Sequence, residues 1–262
     1  MAFFSSGKEG TNMMHVEQLS ERLRFIALNT PRNTTVADIG TDHAQLPVAL
    51  ALDGLIKKAV ASDVNGGPFQ NALRNVSNHQ LTERIEVRHG NGLTTIKESD
   101  EVDVITIAGM GGGLICDILT KGKRHLFNAK TLILQANVAA ELVRSWLHNH
   151  GYKLQNETMI QEGEHFYEVI VAVSNDEAVV DPYEGVDETL AMRFGPLLMK
   201  EQSDAFMQKW RNEYAHLHRI KDQIAVANHQ DLNSNEAYVR IQKQIDQIEE
   251  VIPNVSNSAR DH

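Results

Sequence analysis

The stretch YKLQNETMIQEG, residues 152–163, followed by HFYEVIVAVS, residues 165–174, decides the fold. Both segments carry β-branched and aromatic residues in strand-like runs, and Gly163 stands between them as a tight turn. They read as two strands in succession, hence an antiparallel pair.

Upstream the rhythm differs. TVADIG (35–40), KAVASDV (58–64), RIEVRHG (84–90), VDVITIAG (102–109) and KTLILQA (130–136) read as strands. The fourth is a continuous apolar run, as expected of a central parallel strand covered on both faces. Between them lie helical patterns at 44–58, 67–79, 112–122 and 138–151, and Pro47 is tolerated if it falls in a first turn. A further short amphipathic helix over Gln18–Asn29 carries Leu19, Leu23, Ile26 and Ala27 and is stopped by Thr30-Pro31. Alternating strands and helices imply βαβ units and a parallel sheet. Closing that sheet with a strand pair implies an α/β, Rossmann-like class I methyltransferase sheet with a terminal antiparallel strand; a dinucleotide-binding domain would continue with helices.

Downstream, the polar stretch NDEAVVDPYEG (175–185) reads as a boundary. Beyond it, LAMRFGPLLMK (190–200) is helical with a Gly-Pro interruption. Trp210, Tyr214, Leu217 and Ile224 make one apolar seam, and Tyr238, Ile241, Ile245, Ile248 and Ile252 make another with steps of 3 and 4. With NHQDLNSN (228–235) as the turn, they predict a coiled-coil-like helical hairpin. Two domains are therefore expected, a cofactor-binding domain over 15–176 and the hairpin over 186–253. The tail NVSNSARDH reads as disordered.

With 262 residues the chain can bury a sizeable core, and its 42% apolar and 23% charged residues are ordinary for a water-soluble protein. No apolar run approaches the ~20 residues of a membrane span. MAFFSSGKEGTNMM lacks the basic start and apolar h-region of a secretory signal and reads as a floppy leader. Cys116 is the single cysteine, which excludes an intrachain disulfide and a cysteine-rich zinc site and fits the cytoplasm. On an apolar helix face, it reads as a packing residue. No metal site is expected, no membrane association, and a monomer is slightly favoured. A net charge of −10 argues against non-specific coating of nucleic acid but leaves room for a local basic patch. The densest basic run, KGKRH at 121–125, reads first as a solvated helix C-terminus and second as an RNA contact.

In an open parallel sheet, ligands bind at the carboxyl ends of the strands. Those ends carry Asp38, Gly40, Thr41, Asp42 and His43; Asp63 and Asn65; Gly90, Asn91 and Gly92; Gly109, Met110, Gly111, Gly112 and Gly113; and Gln135 and Asn137. The first loop has no GxGxxG, and the Asp42 carboxylate would repel a pyrophosphate. A cationic ligand is welcome instead, and S-adenosylmethionine carries a sulfonium and an ammonium and no phosphate. Gly40 permits close backbone approach. Asp63, 23 residues past Gly40, stands where an acid can grip ribose hydroxyls, a feature shared with NAD binders. Asn91 is equally a turn residue or a partner for an adenine edge. GMGGG marks either a tight strand–helix turn or space reserved for a ligand. His43 is either a hydrogen-bonding residue or a local base beside Asp42. Trp210 and Tyr214 read as hairpin core before base-stacking platforms.

DIGTDHAQLP (38–47), the GPF that follows the second-strand acid, GNGL, ITIAGMGG and LILQAN together resemble the bacterial tRNA (adenine-22-N1)-methyltransferase family. The likeness spans roughly residues 19–175, with the hairpin also fitting, and AGMGG followed by LILQ is its most specific part. It implies S-adenosylmethionine as cofactor, tRNA as partner and methyl transfer to N1 of adenine 22. The sequence departs from the family pattern at Gln45, where an aromatic is common, at Asn91, where Asp is common, and at Ala136, where Pro is common.

Neutral adenine N1 carries an in-plane lone pair, so positioning and charge stabilisation are the protein's tasks. The expected catalytic residues are Asp42 near the base, His43 orienting it or relaying a proton, and Asn137 on the adenine edge. The expected cofactor residues are Asp38, Gly40, Asp63, Gly90, Asn91, Gly92, Gly109, Met110 and Gly111. The rival readings are an NAD-dependent oxidoreductase and a non-catalytic RNA-binding module.

Overall fold

The computed structural model describes residues 13–127, 129–174, 179–227 and 232–255. Seven strands, β1 (Thr34–Ile39), β2 (Ile56–Asp63), β3 (Ile85–His89), β4 (Val104–Met110), β5 (Thr131–Ala136), β6 (Tyr152–Glu162) and β7 (His165–Ser174), form one sheet in the order β3-β2-β1-β4-β5-β7-β6. β1 to β5 pair in parallel, and β7 enters antiparallel between β5 and β6. The closing hairpin stands where the sequence places it, turning at Gly163. The order reverses between β1 and β4, and a crevice opens above that switch point.

Successive residues of each central strand serve opposite faces of the sheet. Val36, Val104, Ile133 and Val169 pack on one side under α1 (Glu21–Asn29), α2 (Gln45–Leu52) and α3 (Gly66–Asn78). Their neighbours Ala37, Ile105, Leu134 and Ile170 pack on the other under α4 (Gly112–Lys121) and α5 (Ala140–Asn149). The helix expected over 44–58 is shorter. It ends at Leu52, the Leu55 N–H turns back onto the Leu50 carbonyl, and β2 begins at Ile56. Asp53, buried just past the helix, instead accepts the backbone N–H groups of His15 and Val16 and ties the N-terminal segment to the core. Pro47 does fall in the first turn.

The basic run at 121–125 closes α4 and continues as a 3-10 turn, with Lys121 paired to Asp117. Cys116 packs against the second core. The leader through residue 12, the boundary residues 175–178, residues 228–231 of the turn at 228–235 and the tail beyond 255 lie outside the described residues.

The C-terminal part contains α6 (Glu188–Phe194), α7 (Pro196–Glu201), α8 (Asp204–Ala227) and α9 (Glu236–Val251). Tyr214 donates to Glu249 and Lys221 stands over the Tyr238 ring, so α8 and α9 run antiparallel. Trp210, Tyr214 and Leu217 face Ile241, Ile245 and Ile248 in a third apolar core, joined by Met159 from β6. The Trp210 and Tyr214 stripe is therefore hairpin core. A buried ion cluster joins these helices to the sheet. Arg144 on α5 donates to Glu157 on β6 at 2.6 Å and to Glu168 on β7 at 2.5 Å, and Lys209 on α8 also pairs with Glu168.

Candidate active site

The strand ends open into a cleft of about 640 Å³. Of the residues expected there, Asp38, Gly40, Asp42, His43, Asp63, Gly90, Asn91, Gly92, Gly109, Met110 and Asn137 all line it. Gly111 does not; it stands off the lining beside Val138.

The loop after β1 is pinned from below. Gly40 and Thr41 donate their N–H groups to the Ser62 carbonyl at 2.8 and 2.9 Å, and Gly40 has φ +73°, so the chain bends there as only glycine does easily. Asp38 is buried and accepts the Thr41 hydroxyl at 2.5 Å and the Thr106 hydroxyl at 2.6 Å. Burial raises its pKa, with the two hydroxyls opposing and Asp63 adding to the rise. Asp42 and His43 are exposed, with His43 Nε2 3.6 Å from Asp42 Oδ1, too long for a hydrogen bond. The contact is an ion pair only when His43 is protonated.

Asp63, at the end of β2, is held by backbone. Its Oδ1 accepts the Asn65 N–H at 2.8 Å, and its Oδ2 lies 3.3 Å from the Asp42 N–H. Each oxygen keeps a lone pair for a ligand. The turn at Asn91 is closed through its carbonyl, which accepts from the Thr94 hydroxyl at 2.7 Å. Its side chain lines the cleft.

The glycine run after β4 has a structural cause at one position. A Cβ on Gly112 would lie 2.0 Å from the Ala139 carbonyl oxygen, because the loops after β4 and β5 pass in direct contact. There the space is filled by the backbone of the loop after β5. The same two loops share a polar network. Gln135, fully buried, accepts the Gly109 N–H at 2.8 Å and an Arg22 N–H at 3.1 Å, and donates to Asn137 Oδ1 at 2.9 Å. Asn137 in turn donates to the Gly109 carbonyl at 3.0 Å.

Arg22 and Tyr167, like Leu23 beside Arg22, line the cleft without following a parallel strand. Arg22 comes from α1, pairs with Glu162 at 3.4 Å and stacks over the Tyr167 ring at 5.0 Å. Tyr167 comes from β7. Neither sits after a parallel strand, and nothing in their local sequence marks them. Gln135 stands at a strand end and within the LILQAN motif, but nothing in the sequence shows that it bridges these two loops.

Asp38, Asp42 and Asp63 give the cleft acidic walls beside Arg22 and His43. That set suits a ligand with cationic groups and hydroxyls and without phosphate. From Asn137 the surface continues into two further hollows of about 720 and 800 Å³ along β7, α5, α8 and α9. Lys209, Arg219, Arg193, Arg240 and Lys243 line them, together with Glu141, Glu164, Glu168 and Glu213, and Lys209 is paired with Glu168. A surface of mixed charge, with five Lys and Arg side chains among its lining, thus runs from the acidic cleft to the helical hairpin.

Comparison with known proteins agrees with this geometry. The sequence model of the tRNA (adenine(22)-N(1))-methyltransferase family matches residues 36–250. The tRNA (adenine(22)-N(1))-methyltransferase of Bacillus subtilis (strain 168) is 41% identical over 214 residues, covering 82% of this chain and 89% of its own. The crystal structure of the B. subtilis m1A22 tRNA methyltransferase superposes with a TM-score of 0.82 at 38% identity, covering 90% of this chain and 99% of that one. Streptococcus pneumoniae Sp1610, solved in complex with S-adenosyl-L-methionine, gives 0.77 at 37% identity over 89% of this chain and 99% of that one.

Proposed function

The chain belongs to the tRNA (adenine(22)-N(1))-methyltransferase family, and from that premise we propose how its cleft performs the transfer. S-adenosylmethionine is the cofactor, tRNA the substrate, and N1 of adenine 22 the acceptor. The observation that carries the cofactor site is the set of three carboxylates, Asp38, Asp42 and Asp63, at two adjacent strand ends of a cleft without a glycine-rich phosphate loop. The donor set fits the cofactor: acid for its cations, a backbone-held carboxylate for ribose hydroxyls, and glycine loops that admit the adenosine. When bound, the cofactor supplies an activated methyl group on a sulfonium.

The chain's residues do the rest by placement. Asp63 would hold ribose hydroxyls, and its backbone partners keep it oriented. Asp38 favours the cofactor's cationic groups and keeps the first loop closed through Thr41. Adenine N1 needs no base to remove a proton, because its lone pair lies free in the ring plane. As the methyl arrives, positive charge grows on the base, and Asp42 stabilises that charge. Entry of the base displaces water from around Asp42, which strengthens its attraction for that charge, with His43 beside it to orient the carboxylate. Asn137 holds the adenine edge.

The target base must leave its stack before its N1 edge is free, so unstacking precedes transfer. The cations along the two hollows, Arg219, Arg240 and Lys243 among them, lead the tRNA body away from the cleft through phosphate and shape contacts. In this reading the enzyme acts as a cytoplasmic monomer. The oxidoreductase and the non-catalytic module are not favoured by the family match.

Methylation at N1 blocks Watson–Crick pairing, so primer extension locates it. A tRNA incubated with the protein and S-adenosylmethionine should acquire a new stop one nucleotide before adenine 22, on its 3′ side. Methyl incorporation with stops elsewhere would contradict the assignment of the site.

A further inference from the structure

Gln135 is wholly buried, yet it touches both the backbone of the β4 loop and a cleft side chain. Its orientation is fixed by chemistry. The Gly109 N–H and the Arg22 guanidinium can only donate, so the end of Gln135 facing them must be its oxygen. The amide nitrogen therefore faces Asn137 and requires an acceptor there. Asn137 must present Oδ1 to Gln135 and Nδ2 to the Gly109 carbonyl, as observed. An exposed asparagine, which could otherwise turn over freely, is held in one of its two orientations. Each half of its amide keeps one unused function, a hydrogen on Nδ2 and a lone pair on Oδ1.

We propose that Gln135, braced by Arg22, is a positioning residue that locks Asn137 to grip the target adenine along its N6/N7 edge. This rests on the methyltransferase reading above. A carboxamide pairs with that edge through two hydrogen bonds, accepting from N6 and donating to N7. N1 is then left uncovered, as the reaction requires. Guanine offers two acceptors on the same edge, O6 and N7, so the locked Oδ1 would face O6 without a proton between them. The lock thus selects adenine and leaves its nucleophile free.

Two tRNAs test it, one with adenosine and one with 7-deazaadenosine at position 22; the second lacks only the N7 acceptor. The wild-type protein should lose about tenfold in kcat/KM on the deaza substrate, the order of one base-edge hydrogen bond. Gln135→Glu is nearly isosteric and keeps acceptors for Gly109 and Arg22, but loses the N–H that fixes Asn137. It should bind S-adenosylmethionine normally by titration, lose about tenfold on adenosine, and show no further loss on the deaza substrate. Asn137→Asp should also abolish the deaza effect.

Equal wild-type rates on the two tRNAs would overturn the N7 contact. A Gln135→Glu protein that keeps the full wild-type preference would overturn the lock. A wild-type protein that methylates neither tRNA would remove the underlying reading and the lock with it.

Discussion

Three aspartates share one cleft, and their surroundings give each a separate task. Asp63 is buried and held by backbone donors, so Asp63→Ala should weaken S-adenosylmethionine binding by about tenfold or more while sparing turnover at saturating cofactor. Asp42 is exposed at the mouth, so Asp42→Ala should show the reverse, with kcat falling more than cofactor affinity. Calorimetric titration beside steady-state kinetics separates the two; an unchanged dissociation constant in the first, or an unchanged rate in the second, refutes that residue's role. Asp38 adds a pH dependence. Burial raises its pKa, so in the free protein it takes up its proton at higher pH than an ordinary carboxylate. A cationic ligand prefers the ionised form, so affinity for S-adenosylmethionine should fall as pH drops through that raised value. In Asp38→Asn the affinity should be lower and flat over the same window. A wild-type affinity that does not change with pH would contradict the pairing.

At the scale of elements, the loops after β4 and β5 act as one piece, because Gly112 lets them touch. Gly112→Ala would set a methyl group against the Ala139 backbone. The substitution should destabilise the fold by about 1–3 kcal/mol, read from urea unfolding. Wild-type stability in that variant would mean that the loops separate without cost. These loops also show what the sequence reveals and what it hides. The strands and most helices were legible within a few residues, because apolar periodicity reports burial directly. The end of α2 was not, since Ala51, Leu52 and Leu55 continue an apolar pattern through the turn at Asp53 and Gly54. The cleft lining from parallel strand ends was legible because topology places those ends together. Arg22 and Tyr167 were hidden because α1 and β7 reach the cleft only by tertiary packing, across 113 residues in the case of Arg22 and Gln135. The need for Gly112 was hidden for a related reason: its neighbour is the backbone of another loop.

At the scale of the molecule, the helical hairpin and the sheet meet over the Arg144 cluster. Burial would lower the Arg144 pKa, but Glu157 and Glu168 outweigh it and raise the value. Burial would raise the Glu168 pKa, but Arg144 and Lys209 hold it below the ordinary range. Removing the central cation leaves two buried carboxylates, one with no other cation beside it. Arg144→Met should therefore cost about 3–5 kcal/mol in denaturant unfolding. A cost below about 1 kcal/mol, the scale of an exposed pair, would show that the cluster is open to water. This junction lies beside the hollows that lead from the cleft, so it fixes how the hairpin stands relative to the cleft.

The central claim is that the acidic cleft at the strand ends delivers a methyl group to adenine 22. The most direct measurement is transfer of labelled methyl from S-adenosylmethionine to two tRNA transcripts, one with adenine at position 22 and one with guanine. Label on the adenine transcript alone is the predicted result. Equal label on both, or none on either while the cofactor still binds, would contradict it.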